Sequence, residues 1–309
     1  MINAVKLIID KLANRTNSIN GKLYREDNTI LAWETGNELN FRGQPSPASW
    51  TMTIAKHLKS RCPNHLVMDG SFARNPSTKE SFREECLKCP DIDLFSYHYY
   101  GDGEVDRLAK DAARVTKYAK AFVAGEYGFF SRPSEYERFL KVATKSNVAG
   151  CLVWSLRPHS SRGGFKTHCE DDSHRSYHAP GWDHVQHPEW DTREAEIIST
   201  IRNHSFRINA ENVQPLPRPL PPSHVWIEGS GLLGWRGSAW AHRYALISRH
   251  EASGQMQEYE LYDCCKEGTT MVNLEQMLRI GSTGALVLTL KAVGVDGQTS
   301  DESSTSVRW

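Results

Sequence analysis

Thr29-Ile30-Leu31-Ala32-Trp33-Glu34-Thr35-Gly36-Asn37-Glu38 is an apolar run that breaks at a glycine and ends on an amide and a carboxylate. Residues 29–34 are nearly continuously apolar, which reads as a strand buried on both faces. Four further runs have the same character: His65-Leu66-Val67-Met68-Asp69, Asp93-Leu94-Phe95-Ser96-Tyr97-His98, Ala121-Phe122-Val123-Ala124-Gly125 and Ala149-Gly150-Cys151-Leu152-Val153-Trp154. Helical spacing surrounds them. Val5, Leu7, Ile8, Ile9 and Leu12 share one face of a predicted helix over 2–14. Residues 47–61 and 134–146 also read as helix. Over 104–120, Val105, Leu108, Ala112, Val115 and Ala119 are again spaced for one face.

This alternation predicts an α/β protein with a parallel sheet covered by helices. Polar and aromatic residues gather where the strands end: Asn37, Glu38, Asp69, His98, Glu126 and Trp154. In a (β/α)8 TIM barrel that end carries the active site. Five strands are legible here, where a closed barrel has eight. After a predicted helix near 192–204 the composition shifts. Pro215, Pro217, Pro219, Pro221 and Pro222 make a stiff, extended linker. Beyond it, Tyr244–Ile247, Glu258–Tyr262 and Ala285–Val293 are short alternating segments between turn residues, read as a small all-β sandwich. The expected division is a partial barrel over 1–206, a linker over 207–223 and a sandwich over 224–309.

Lys and Arg total 37 and Asp and Glu total 37. That balance gives no reason to expect nucleic acid or an anionic membrane as partner. No apolar run approaches the roughly 18 residues of a membrane span, and Met1 to Lys6 leads into an amphipathic stretch rather than a signal peptide. Nine Trp and eleven Tyr offer rings either for cores or for the C–H faces of sugars. The seven Cys (62, 86, 89, 151, 169, 264, 265) leave one odd. Cys86-x-x-Cys89 lacks a second pair at zinc spacing, so neither a metal nor another cofactor is expected; disulfides would follow only from secretion. His159, His168, His174 and His178 are irregularly spaced in a long loop, which favours substrate contacts for some of them over a metal site.

Glu38 and Glu126 end strands three steps apart, so the curve of a barrel would return both to one cavity. A carboxylate pair supplies the proton donor and the negative group that cleavage of a glycosidic bond requires. Glu34 reads as a local strand-end acid, Asp69 either lines the cleft or caps a turn, and Trp33 reads as core. His98, two residues before Tyr100 and between the two Glu-bearing strands, reads as part of the site.

Asn37-Glu38, His98-x-Tyr100, Gly125-Glu126-Tyr127-Gly128 and a strand ending at Trp154 resemble, in order and spacing, strands four, six, seven and eight of glycoside hydrolase family 5. The runs Asn14 to Glu34, Trp154-Ser155-Leu156-Arg157-Pro158-His159, Gly163-Gly164-Phe165 and Tyr177-His178-Ala179-Pro180-Gly181 resemble its endo-β-1,4-mannanase branch. The resemblance covers roughly residues 1–205. It implies Glu126 as nucleophile and Glu38 as acid/base, with retained anomeric configuration and carboxyl groups roughly 5–5.5 Å apart. It implies Asn37 on the substrate 2-hydroxyl, Tyr100 orienting Glu126, His98 in the same network, and Trp154 as the floor under the sugar. A β-mannan is the implied substrate, no cofactor is implied, and the family's usual secretion implies an extracellular location.

The chain departs from that family in starting at the barrel's third helix. The three earlier strands, with an Arg near the nucleophile and a His in the cleft, have no counterpart. A fragment, an incomplete gene model and a decayed paralogue are the readings this leaves. The last segment resembles a fibronectin type III or immunoglobulin-like module, carried by Tyr244-Ala245-Leu246 and Leu288 to Gly297, in which Trp226, Trp235 and Trp240 form either a sugar platform or packing. Hydrolysis of another β-glycan, glycan binding without turnover, and a chain that does not fold alone are the alternatives.

Overall fold

The strands form where the apolar runs stand. In the computed structural model, which describes residues 1–41, 44–73, 82–166, 177–181, 193–229, 231–262, 271–278 and 285–308, the first stretch runs α1 (Ile2–Ala13), β1 (Ala32–Glu34), a hairpin of β2 (Asn40–Phe41) and β3 (Gln44–Pro45), and α2 (Ala48–Arg61). It continues through β4 (Leu66–Ala73), α3 (Glu84–Leu87), β5 (Leu94–Tyr100), α4 (Val105–Thr116), β6 (Ala121–Gly128), α5 (Pro133–Lys145) and β7 (Gly150–Val153). The five predicted strands pair in parallel in the order β1-β4-β5-β6-β7. This fits part of a (β/α)8 barrel: five adjacent strands with their crossover helices. The chain divides into two compact units, Met1–Trp154 and Ser155–Trp309.

Side-chain parity on β5 sets the layers of the first unit. Phe95, Tyr97 and Tyr99 face the helices: Tyr99 packs on Phe139 of α5 and donates its hydroxyl to Asp111 of α4 at 2.7 Å. Ser96, His98 and Tyr100 alternate onto the opposite face. On α4, Val105, Leu108, Ala112 and Val115 are buried, as their spacing predicts. That helix stops short of the predicted 120, because Ala119 turns left-handed at φ 57°. α1 differs from expectation in its packing. Val5 and Ile9 are half-buried, but Leu7, Ile8 and Leu12 remain exposed. Trp33 is half-buried rather than core, and its indole N–H donates to His65 Nδ1 at 2.7 Å.

The second unit holds α6 (Glu194–Ile208), β8 (His224–Glu228), β9 (Leu232–Arg236), β10 (Arg243–His250), β11 (Met256–Leu261), β12 (Met271–Asn273), α7 (Leu274–Leu278), β13 (Ala285–Val293) and β14 (Ser303–Arg308). Two antiparallel sheets form, ordered β11-β10-β13-β14 and β12-β9-β8. One buried cluster takes Leu233 and Trp235 from the smaller sheet and Tyr244, Leu246, Leu288 and Leu290 from the larger. Trp235 is therefore core and no sugar platform. Trp226 lies over Gly234, where an added Cβ would meet its ring at 2.5 Å. The proline segment, neither helix nor strand, is fastened to the second unit. Arg218 donates to the Thr299 carbonyl at 2.6 Å and pairs with Asp301 at 2.9 Å, and Ser303 Oγ donates to the Pro222 carbonyl at 2.6 Å.

Candidate active site

Three successive ladder irregularities lie toward the C-terminal end of the parallel sheet. The register shifts between Asp69 and Phe72 on β4, between Tyr97 and His98 on β5 against β6, and between Ala124 and Tyr127 on β6. The shift between β5 and β6 decides the chemistry. Phe122 and Ala124 pair with Phe95 and Tyr97 on the helix-facing side, and strict alternation would send Glu126 the same way. Gly125 is the extra residue. It lets His98 pair with Glu126 and Tyr99 with Tyr127, so that Glu126 turns to the His98 face and Tyr127 to the helices. Only glycine fits at that position: a Cβ would lie 2.1 Å from Ser96 Oγ and 3.3 Å from His98 Nε2.

Glu38 arrives by a different device. After β1 the backbone follows β4 through Thr35 N–H to the Met68 carbonyl at 2.9 Å and Glu38 N–H to the Gly70 carbonyl at 3.0 Å. Glu38 itself is left-handed at φ 49°, a conformation that costs a non-glycine residue about 1–2 kcal/mol. Its fixed N–H holds it there. Gly70 makes room for this path, since a Cβ would lie 2.2 Å from both Glu34 Oε1 and the Gly36 carbonyl oxygen.

The result is a compact cluster of ionisable groups. His98, 3% exposed, sets Nδ1 2.5 Å from Glu38 Oε1 and 3.3 Å from Glu126 Oε2. Tyr100 donates its hydroxyl to Glu126 Oε2, and its ring stacks on Phe129 at 4.7 Å. Ligand atoms of Glu38, His98 and Glu126 all lie within 4.8 Å of one another. Glu38 keeps 38% of its side chain exposed and Glu126 only 15%, so one carboxylate is open to solvent and the other sheltered. The same three groups present one imidazole nitrogen and two carboxylate oxygens, a set that suits a divalent cation as well as a proton.

Of the sequence candidates, Glu38, His98, Tyr100 and Glu126 are brought together. Asn37 precedes Glu38 and is exposed. Trp154 follows β7, half-buried, with its N–H on the Tyr127 carbonyl at 2.9 Å and its own carbonyl close over Gly128, where a Cβ would lie 2.8 Å away. Asp69 is fully buried on the helix-facing side, opposite Phe95, and accepts the Ser71 N–H at 3.0 Å. That resolves its two readings in favour of the local turn. Burial pushes its carboxyl above the usual range.

Glu34, the strand-end acid of β1, lies within electrostatic reach of the cluster. Burial pushes its carboxyl up; Glu126 and Asp69 reinforce this, and His98 opposes it. The signal for it in the sequence is its position, on the last residue of β1 and four before Glu38. His178 is buried and pairs with Glu194 at 3.0 Å, which accounts for it structurally. His168 and His174 lie outside the described residues.

Comparison with known proteins gives a consistent picture. A family described as GH family 5 beta-mannosidase-like matches residues 3–125, a span holding Glu38, His98 and Tyr100 and ending one residue before Glu126. Mannan endo-1,4-beta-mannosidase 8 of Oryza sativa subsp. japonica is 24% identical over 204 residues, covering 50% of this chain and 54% of the relative. Probable mannan endo-1,4-beta-mannosidase F of Aspergillus flavus is 28% identical over 166 residues, covering 45% of this chain and 35% of the relative. The endo-beta-1,4-mannanase structure from Thermotoga petrophila superposes with a TM-score of 0.51 at 16% identity, covering 98% of this chain and 70% of that one. The endo-1,4-beta-mannanase structure from Rhizomucor miehei gives 0.51 at 20%, covering 68% and 62%. The chain thus shares its fold with solved mannanases, and spans about half the length, or less, of the curated relatives it matches.

Proposed function

We propose that this chain is a glycoside hydrolase that cleaves internal β-1,4-mannosidic bonds of mannans with retention, with Glu126 as nucleophile and Glu38 as acid/base. The single observation carrying this is the carboxylate pair turned onto one face, with oxygens within 4.8 Å across His98. That separation lies near the roughly 5–5.5 Å of retaining enzymes, well below the roughly 6.5–9.5 Å that an inverting enzyme needs for its water. The similarity to named mannan endo-1,4-beta-mannosidases supports mannan as the substrate.

In this reading Glu126 attacks the anomeric carbon as Glu38 delivers its proton to the departing glycosidic oxygen. Glu38 then takes a proton from water, which displaces Glu126 from the glycosyl-enzyme. The Tyr100 hydroxyl holds Glu126 Oε2, so one oxygen is fixed and the other is aimed. His98 separates the two acids and donates between them. Asn37 meets the substrate 2-hydroxyl and Trp154 underlies the sugar. We also propose the catalytic region as 1–206, the linker as 207–223 and the remainder as a fibronectin- or immunoglobulin-like sandwich. The partner is a polysaccharide and the site of action extracellular.

The test is release of reducing ends from galactomannan, glucomannan and β-glucan by the whole chain, beside Glu126→Gln. We expect release from the mannans, reduced roughly 10⁴-fold or more in the variant. Release from β-glucan alone would move the substrate to another β-glycan. No release by a cooperatively folded sample would overturn catalysis by this chain.

A further inference from the structure

Trp240, a member of the tryptophan trio, borders a cavity. Within the second unit, a cavity of about 650 Å³ is lined by Trp240, Phe165, His159, Arg157, Arg236 and Ser238, among others. Its walls are built together. Gly237 lies against His159, where a Cβ would meet the ring at 2.3 Å, and Ser238 N–H donates to the Tyr244 hydroxyl at 3.1 Å. Trp240 is held left-handed at φ 68°, unusual for a bulky side chain and the kind of strain that collects at binding sites. Ser238 is 7% exposed, and its Oγ has no hydrogen-bond partner among the described residues.

The lining also has a chemical sign. It carries two guanidinium groups and an imidazole, and no carboxylate among the described residues. Arg236 is exposed. Donors therefore outnumber acceptors. A neutral sugar, whose every hydroxyl also donates, would find few side-chain acceptors there. A sugar bearing a carboxylate offers acceptors to the guanidinium fork and a C–H face to the indole ring.

We propose that this cavity is a second carbohydrate site, apart from Glu38 and Glu126, that takes an acidic saccharide: a hexuronate unit stacked on Trp240, with its carboxylate on Arg236 and a hydroxyl on Ser238. It stands whether or not the barrel face is catalytic. The whole chain carrying Glu126→Gln would be titrated calorimetrically with linear trigalacturonate, mannotriose and inorganic sulfate. One-to-one binding of trigalacturonate, roughly tenfold tighter than mannotriose or sulfate, is expected. Arg236→Gln should remove that preference. Trp240→Gly should weaken binding about tenfold without lowering the melting temperature, because glycine accepts the backbone that Trp240 strains. Equal or tighter binding of mannotriose would overturn the acidic class, and equal binding of sulfate would overturn the saccharide. Unaltered affinity in Trp240→Gly, or no trigalacturonate binding at millimolar concentration by a folded sample, would overturn the site.

Discussion

The seam between β5 and β6 and the two margins of the same sheet are built from similar apolar runs, yet they end in different surroundings. At the seam, Tyr97, Tyr99, Phe122 and Tyr127 are at most 1% exposed, beneath α4 and α5. At the margins, Leu31 before β1 is 73% exposed and Leu152 in β7 is 63% exposed. Burial of a strand is a property of its neighbours, and a strand paired on one side only cannot acquire it alone. Glu126, His98 and Tyr100 all rise from the seam, where both ladders and both helix layers are complete. The groups that demand exact aim thus stand on the best-supported part of the sheet.

The largest effect that would sharpen this contrast is on stability. Phe139 of α5 stacks on Tyr127 at 4.6 Å and also meets Tyr99 and Phe130. Phe139→Ala should cost about 3–5 kcal/mol by denaturant unfolding. A cost under 1 kcal/mol would mean that the seam is no better packed than the margins. The next effect is on activity. Tyr100→Phe removes the hydroxyl bonded to Glu126 while keeping the ring on Phe129, and should cost the proposed mannan hydrolysis about 1.5–3 kcal/mol, roughly 10- to 160-fold in kcat. An unchanged kcat would deny Tyr100 its positioning role.

A third effect lies behind the seam, at Asp69. Burial raises its folded-state pKa above the unfolded value, so the stability it contributes is fully present below the unfolded pKa and is lost as pH rises through the folded one. Asp69→Asn cannot ionise and keeps an acceptor for the Ser71 N–H. The variant should therefore melt above the parent at pH 7, with the gap narrowing as pH falls and closed by about 4. Melting below the parent at pH 7 would mean that the bonds from Ser71 and Cys86 to a charged carboxylate outweigh its desolvation.

The strands of seam and margin alike were legible in the sequence, and what covers or bends them was not. Continuous apolar runs separated by helical spacing give β1, β4, β5, β6 and β7 with their order and direction, and the strand-end residues give Glu38, His98, Tyr100 and Glu126. The bulge at Gly125 is hidden, because a period of two read through Phe122 and Ala124 turns Glu126 the wrong way. Glu34 is hidden because its raised carboxyl follows first from desolvation, with Glu126 and Asp69 from two other strands adding to it. The α1 face of Leu7, Ile8 and Leu12 shows that helical spacing announces an apolar stripe and not what covers it. In the second unit, β8 and β9 escape notice because both runs are short and β9 is broken by Gly234, Trp226 and Trp235 reading equally as platform or core.

The smallest expected effect is the most direct test of the contrast. Leu152 lies in β7, which pairs only with β6 among the described strands, and its side chain is largely in solvent. Leu152→Ser removes an apolar side chain that is 63% exposed. The change should alter unfolding free energy by no more than about 0.5 kcal/mol, and should lower rather than raise self-association at high protein concentration by reducing exposed apolar surface. Loss of several kcal/mol, on the scale expected of Phe139→Ala, would mean that Leu152 is covered in solution. The margin would then be an interface, and the difference between seam and edge would belong to the isolated chain rather than to the protein at work.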